Sequence, residues 1–170
     1  MTDSMTAIRV AVPGDASGIA RVHVDSWRET YSGLLPDQFF NAAALAGRRA
    51  MWVAILGHGP VPGTVVVAER DREIRGFAFA GPASHPDATK GIQPARSLHL
   101  FSIYVLAADH DTGTGHRLLE AAIGDRPAQL WVARDNDRAR TFYRRHGFCE
   151  DGATVADADV ENLVEVRMVR

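Results

Sequence analysis

The chain has 170 residues, 46% of them apolar and 24% charged, with seven histidines and one cysteine. Those proportions exclude a disordered or fibrous protein, and the length suits one domain spanning 1–170 whose core needs neither disulfides nor metals. Nineteen Lys and Arg against 21 Asp and Glu give a formal net charge of -2 without a basic run, which argues against nucleic acid as a partner.

Cys149 stands alone and makes no internal disulfide. Residues Met1 to Thr6 are polar and lack the basic-then-apolar pattern of an export signal. No apolar run approaches the ~20 residues of a bilayer span. A cytoplasmic protein without a membrane partner is the expectation.

In chain order, Ile8 to Val12 alternates as a first strand and ends at Pro13-Gly14. Asp15 is expected to cap a helix carrying Ile19, Val22, His23, Trp27 and Tyr31, which Gly33 stops. A second helix is expected from Gln38 to about Leu56, and Gly57 to Gly63 reads as irregular. Thr64 to Glu69 and Ile74 to Ala80 flank a polar turn at Arg70 to Glu73, the pattern of a β-hairpin. Gly81 to Arg96 is rich in Pro, Gly and Ser and reads as a long loop.

The most informative stretch follows. Ser97 to Leu106 is β-branched and aromatic; Ala107 to Gly115 is small, polar and glycine-containing; Leu118, Leu119, Ala122 and Ile123 then recur at helical spacing. Gly113 and Gly115 lack the Cβ atoms that would keep a ligand from the backbone, and the helix presents its unpaired N–H groups at the same place. His116 and Arg117 put positive charge at the positive end of the helix dipole, a conflict that a bound phosphate resolves. Beyond it, Ala128 to Ala133 is a strand and Asn136 caps a helix bearing Ala139, Phe142, Tyr143 and His146, stopped at Gly147-Phe148. Two strands, near Phe148 to Val155 and Leu163 to Val169, end the chain. The order β, α, α, β, β, β, α, β, α, β, β is an α/β class on a mixed sheet.

Two motifs give the chain a resemblance to the GNAT family of acyl-CoA-dependent N-acyltransferases. His110-Asp111-Thr112-Gly113-Thr114-Gly115 matches that family's Gln/Arg-x-x-Gly-x-Gly/Ala loop except at its first position. Asn136, Ala139, Phe142, Tyr143, Gly147 and Phe148 match its Asn-x-x-Ala-x-x-Phe-Tyr-x-x-x-Gly-Phe. The resemblance implies a mostly antiparallel sheet of about seven strands flanked by about four helices, and transfer of an acetyl group from acetyl-CoA to an amine. It implies that His110, Asp111, Thr112, Gly113, Thr114, Gly115 and His116 shape the pyrophosphate site. Ile103 and Val105 would pair with the pantetheine arm, with Asn136 fastening it. Trp27 and Tyr31 would line the mouth of the acceptor groove.

Tyr143 shares a helix face with Asn136 and Ala139, and its phenol can protonate a departing thiolate. Plain capping by Asn136 and core packing of Tyr143 are the alternatives. His99 falls where the family often has a basic glutamate, so it is either a general base or a core histidine. The histidines show no metal-ligand spacing and no metal is required. A non-catalytic acyl-CoA sensor on the same fold is the rival function. A dinucleotide site is disfavoured by Leu118 at the third glycine position. The last strand, taken as an edge, suggests a homodimer.

Overall fold

The computed structural model describes residues 5–57, 62–157 and 160–170. The expectations for Met1 to Ser4 and for residues 58–61 lie outside them. The elements run β1 (Ala7–Val10), α1 (Ala16–Tyr31), α2 (Ala42–Gly57), β2 (Thr64–Arg70), β3 (Glu73–Pro82), α3 (Pro86–Thr89), β4 (Leu98–Val105), α4 (Thr114–Ile123), β5 (Gln129–Ala133), α5 (Asp137–Arg145), β6 (Cys149–Ala156) and β7 (Val164–Val169). They build one seven-stranded sheet in the order β1-β2-β3-β4-β5-β7-β6. β4 and β5 are parallel, while β1 with β2, β5 with β7 and β6 with β7 are antiparallel. The α/β class and the seven strands are as the sequence implied; α3 makes the helices five. Contacts group the chain into two compact units, Met1–Phe79 with Ser102–Gly124, and Ala80–Phe101 with Asp125–Arg170.

In the second unit, β7 pairs on both sides: Leu130 and Glu150 both face Met168 in register. The last strand is therefore internal and β6 takes the edge, which corrects the expectation of a C-terminal edge strand and removes that ground for a dimer. Residues 81–96 are also less irregular than expected. Pro at the first helical position and the His85 ring, which accepts from the Asp87 N–H, start the short α3. Trp131 donates its indole N–H to the Ala88 carbonyl at 2.7 Å, and Arg167 donates to the Gln93 carbonyl at 2.7 Å, so the segment is pinned to β5 and β7. Lys90 pairs with Glu165.

The first unit packs Ile19, Ala20 and Val22 of α1 and Trp52 and Leu56 of α2 onto Val65, Val67, Ile74 and Phe77. Gly18 lets the helix come close, since a Cβ there would lie 2.7 Å from Ile74 Cγ1. Asp15 does not cap α1: its carboxylate accepts from the Val12 N–H and from the Arg9 guanidinium, which also reaches Glu69. Arg9 thus ties β1 to β2 and to the entry of α1, and the pairing holds the Asp15 carboxyl below its usual range. The second helix starts later than expected because Asn41 accepts from the Ala44 N–H, while Asp37–Phe39 forms a separate 3-10 turn. The hairpin turn carries Asp71 at φ 54° and Arg72 at φ 65°, the left-handed pair that a two-residue type I′ connection requires.

His23 sits in this apolar core. Its Nδ1 accepts from the Trp52 indole N–H at 3.3 Å, and its ring stacks on Tyr104 with centroids 5.1 Å apart. Burial pushes its pKa down to about 3, with the positive charge of Arg48 adding to the drop. The unfolded chain holds this residue near the ordinary ~6.5, so between those values it binds a proton that the folded chain refuses. Stability from this group is complete above pH ~6.5 and is lost as pH falls toward 3, at roughly 1.4 kcal/mol per pH unit. Urea midpoints of the wild type should fall between pH 6.5 and 5, and His23→Gln, which still offers Trp52 an acceptor, should flatten that slope by about one proton. Equal slopes would show that His23 does not titrate on unfolding.

Candidate active site

Within the first unit, β4 ends at Val105 and the chain turns through a 3-10 segment, Ala107–Asp109, before the glycine loop. Asp111 has φ 62° and Gly113 φ 81°, two left-handed positions that reverse the chain into α4. Gly113 is itself the residue at the helix N-terminus, so α4 begins at Thr114, within the motif. The first i→i−4 bond of the helix runs from the Arg117 N–H to the Gly113 carbonyl, which leaves the Thr114 and Gly115 N–H groups ahead of the ladder. A Cβ placed on Gly113 would meet nothing within 4 Å, so that side of the loop is open. No acidic residue occupies the first turn of α4. The combination suits a phosphate oxygen.

Side chains of the loop hold its shape. The Thr112 hydroxyl donates to the Asp109 carbonyl at 2.7 Å and lies 2.8 Å from the Thr114 hydroxyl. His110, in the place of the family's Gln or Arg, puts Nε2 2.8 Å from the Val105 carbonyl. That carbonyl accepts, so the proton is assigned to Nε2. Ile103 and Val105 are half-buried on β4, and His116 is exposed, 3.9 Å from Glu120. Leu118 is fully buried and reaches the site where a Cβ on Gly76 would stand, 3.1 Å from its Cδ1. The small residue that admits close approach is thus on β3, and α4 lacks the third glycine of a dinucleotide fold.

Trp27 and Tyr31 lie one turn apart on α1 with ring centroids 5.3 Å apart, both half-buried. Trp27 donates its indole N–H to the Tyr104 hydroxyl at 3.0 Å, and the Arg48 guanidinium stands 5.7 Å from its ring. Tyr104 is a member of this cluster that sequence reasoning missed. The alternation of β4 was its signal, since Tyr104 takes the face opposite to Ile103 and Val105.

Within the second unit, His99 is 3% exposed, in register with Gln129 across β4 and β5. Gln129 is fully buried; its Oε1 accepts from the N–H groups of Ala95 and Arg96, so the amide nitrogen faces His99. His99 Nδ1, 3.3 Å away, accepts from it. Burial pushes the His99 pKa down to about 3, with the positive charge of Lys90 and the nearby His85 adding to the drop. The ring is neutral at physiological pH. Gln129 also escaped sequence reasoning, although a glutamine opening an otherwise apolar strand was visible.

Asn136 caps α5, its Oδ1 accepting from the Ala139 N–H at 3.1 Å. The Phe148 N–H returns to the Tyr143 carbonyl and the Gly147 N–H to Arg144, with Gly147 at φ 85°, a Schellman stop. Between these ends Tyr143 is buried, its ring 5.9 Å from that of Phe148. Among the described residues, no group of three His, Cys, Asp or Glu side chains could hold a metal ion, and no helix is long and apolar enough to cross a membrane.

Comparison with known proteins matches residues 61–150 to the acetyltransferase (GNAT) domain family. A Mycobacterium tuberculosis protein named "Probable N-acetyltransferase Rv2775" is 27% identical over 91% of this chain and 86% of its own. The N-acetyltransferase YuaI of Bacillus subtilis, itself uncharacterised, is 30% identical over 68% of this chain and 61% of its own. Among solved structures, the PaiA N-acetyltransferase of Thermoplasma acidophilum, in complex with coenzyme A, superposes with a TM-score of 0.71 at 17% identity, covering 96% of this chain and 98% of that one. An N-acetyltransferase from Staphylococcus aureus Mu50 gives 0.70 at 16% identity, over 96% and 100%. With two units that each carry one of the two sequence motifs, and a domain match over more than half its length, the chain belongs to the GNAT family and is an acyltransferase enzyme.

Proposed function

We propose that this enzyme moves the acetyl group of acetyl-CoA to a primary amine of a small molecule or peptide, by direct attack of the amine on the thioester. The carrying observation is the turn into α4, where left-handed Asp111 and Gly113 lead into a helix whose first N–H groups stand ahead of its hydrogen-bond ladder, next to a glycine with open space at its Cβ position. Thr112 to His116 hold the donor's pyrophosphate through the backbone. The coenzyme A bound by the Thermoplasma relative supports the same donor here. His110 serves by its bond to the Val105 carbonyl, which ties the loop's start to the strand end. Ile103 and Val105 offer strand backbone to the pantetheine arm. Asn136 has committed Oδ1 to its helix cap, so its contact to the donor uses the amide nitrogen. Trp27 and Tyr31 flank the acceptor. The naming of relatives as N-acetyltransferases favours an enzyme over a sensor.

In the reaction the amine nitrogen bonds to the thioester carbon, the C–S bond breaks, the nitrogen gives up one proton to water, and the thiolate needs one from a group that water then reprotonates. Tyr143 supplies it from the phenol, whose reference pKa of ~10 lies above the ~8.5 of a thiol. His99 enters as a neutral buried ring. A full base role would place a charge where burial penalises it, so the amine reacts in its free form and His99 orders Gln129 and the 95–96 backbone instead.

Three outcomes test these roles. Gly113→Ala puts a Cβ on the open side at φ 81°, which should weaken coenzyme A binding in calorimetry roughly tenfold or more, alongside a strain of about 1–2 kcal/mol in melting. Unchanged affinity would remove the loop from the site. Tyr143→Phe should lower kcat by roughly 10²-fold with little change in coenzyme A affinity, and full activity would return Tyr143 to packing. For His99, a low pKa predicts no limb near pH 6.5 in kcat/KM, and His99→Gln should keep most of the activity. A limb near 6.5 that His99→Gln abolishes would make it the base.

A further inference from the structure

Asp109 stands four residues before Gly113, is 1% exposed, and belongs to no motif that the sequence offered. Arg75 donates to Oδ2 from Nε at 2.9 Å and approaches it with Nη2 at 2.8 Å, a two-pronged hold. Arg70 approaches Oδ1 with Nη1 at 2.5 Å, as an ion pair whose geometry is not that of a hydrogen bond. Both arginines come from the β2–β3 hairpin, on either side of its Asp71–Arg72 turn. On the other side, the Asp109 carbonyl receives the Thr112 hydroxyl, and the Leu106 N–H bonds back to the Arg75 carbonyl. The entry to the glycine loop is thus tied to the hairpin by one buried carboxylate and one backbone bond. Burying a carboxylate this far without such partners would be costly.

We propose that the Arg70–Asp109–Arg75 triad is the anchor that positions the donor-binding loop, so that Asp109, without touching the ligand, sets the affinity for the pyrophosphate portion of coenzyme A. The inference rests on the donor-binding reading above. A misplacement of the loop by an ångström or less is enough to cost roughly tenfold or more in binding, because several backbone amides must converge on the same oxygens.

The test compares coenzyme A, by calorimetry, with pantetheine, by ligand-observed NMR, on the wild type, Asp109→Asn and Arg70→Gln, at a temperature where melting shows all three folded. Asp109→Asn should bind coenzyme A roughly tenfold or more weakly while pantetheine, which has no pyrophosphate, binds as before; Arg70→Gln should show the same bias, more weakly. Equal losses for both ligands would reduce the triad to general stability and overturn the anchor, as would unchanged coenzyme A affinity in the folded variants. If Asp109→Asn does not fold, Arg70→Gln decides alone, since Arg70 is 31% exposed and its truncation leaves the Arg75 pair in place. A wild type that does not bind coenzyme A would instead bring down the donor-binding reading itself, and the anchor with it.

Discussion

Between the end of β4 and the start of α4 the chain must reverse, and that reversal uses left-handed backbone. Here Asp111 and Gly113 supply it. An aspartate visits that region more readily than most residues, and a glycine does so freely. The surrounding chemistry makes sense as support for this conformation. Thr112 is tied to Asp109, His110 to Val105, and Asp109 to the hairpin arginines. A loop tied by its own side chains keeps its shape without a ligand, so binding does not have to supply the ordering.

His23, His99 and Asp109 are each buried within their unit, and they are kept in two ways. His23 and His99 have lost water and gained only a neutral donor each, the Trp52 indole and the Gln129 amide, so burial depresses both and they remain uncharged. Asp109 instead faces two guanidiniums, those of Arg70 and Arg75. The distinction bears on function. A buried neutral imidazole is a fixed hydrogen-bond acceptor, well suited to order Gln129 and, through it, the backbone at Ala95 and Arg96. It is poorly suited to carry a proton at neutral pH, which is why the spacing that drew attention to His99 is a weaker guide than its surroundings.

The sequence made much of this legible where local chemistry dictates structure. The turn at Asp71-Arg72, the Asn136 cap and the Gly147-Phe148 stop were readable because each depends on a few neighbouring residues. It was less legible where a residue has two possible partners. Asp15 looked like a helix cap, but Arg9, nearby in space, offered a full charge and took it. Asn41 captured the start of α2 from Gln38. The place of the last strand was lost for a different reason. Strand order is a long-range property, and alternating Val and Met with charge reads alike at an edge and in the interior. Tyr104 and Gln129 did leave local signs, an alternating face and a glutamine opening an apolar strand, but what they and Asp109 pair with lies far along the chain, and a single sequence carries no sign of such pairs.

The acid proposed for the reaction illustrates how local signals come to matter for chemistry. α5 is only nine residues long, too short to be stable on its own, so its register depends on how it starts and stops. Asn136 fixes the first turn and the bonds from Gly147 and Phe148 fix the last, with Phe148 fully buried as the apolar plug. Tyr143 lies between, and its carbonyl accepts the Phe148 N–H that closes the stop. The backbone that carries the phenol is therefore the backbone that ends the helix. Asn136, Ala139 and Tyr143 share one face by their spacing, so a one-residue shift in the register of the whole helix would turn that face by about 100° against its surroundings. That coupling gives Asn136 a part in placing the acid whether or not its amide also reaches the donor, and it explains why one motif carries both residues together with the glycine that ends the turn.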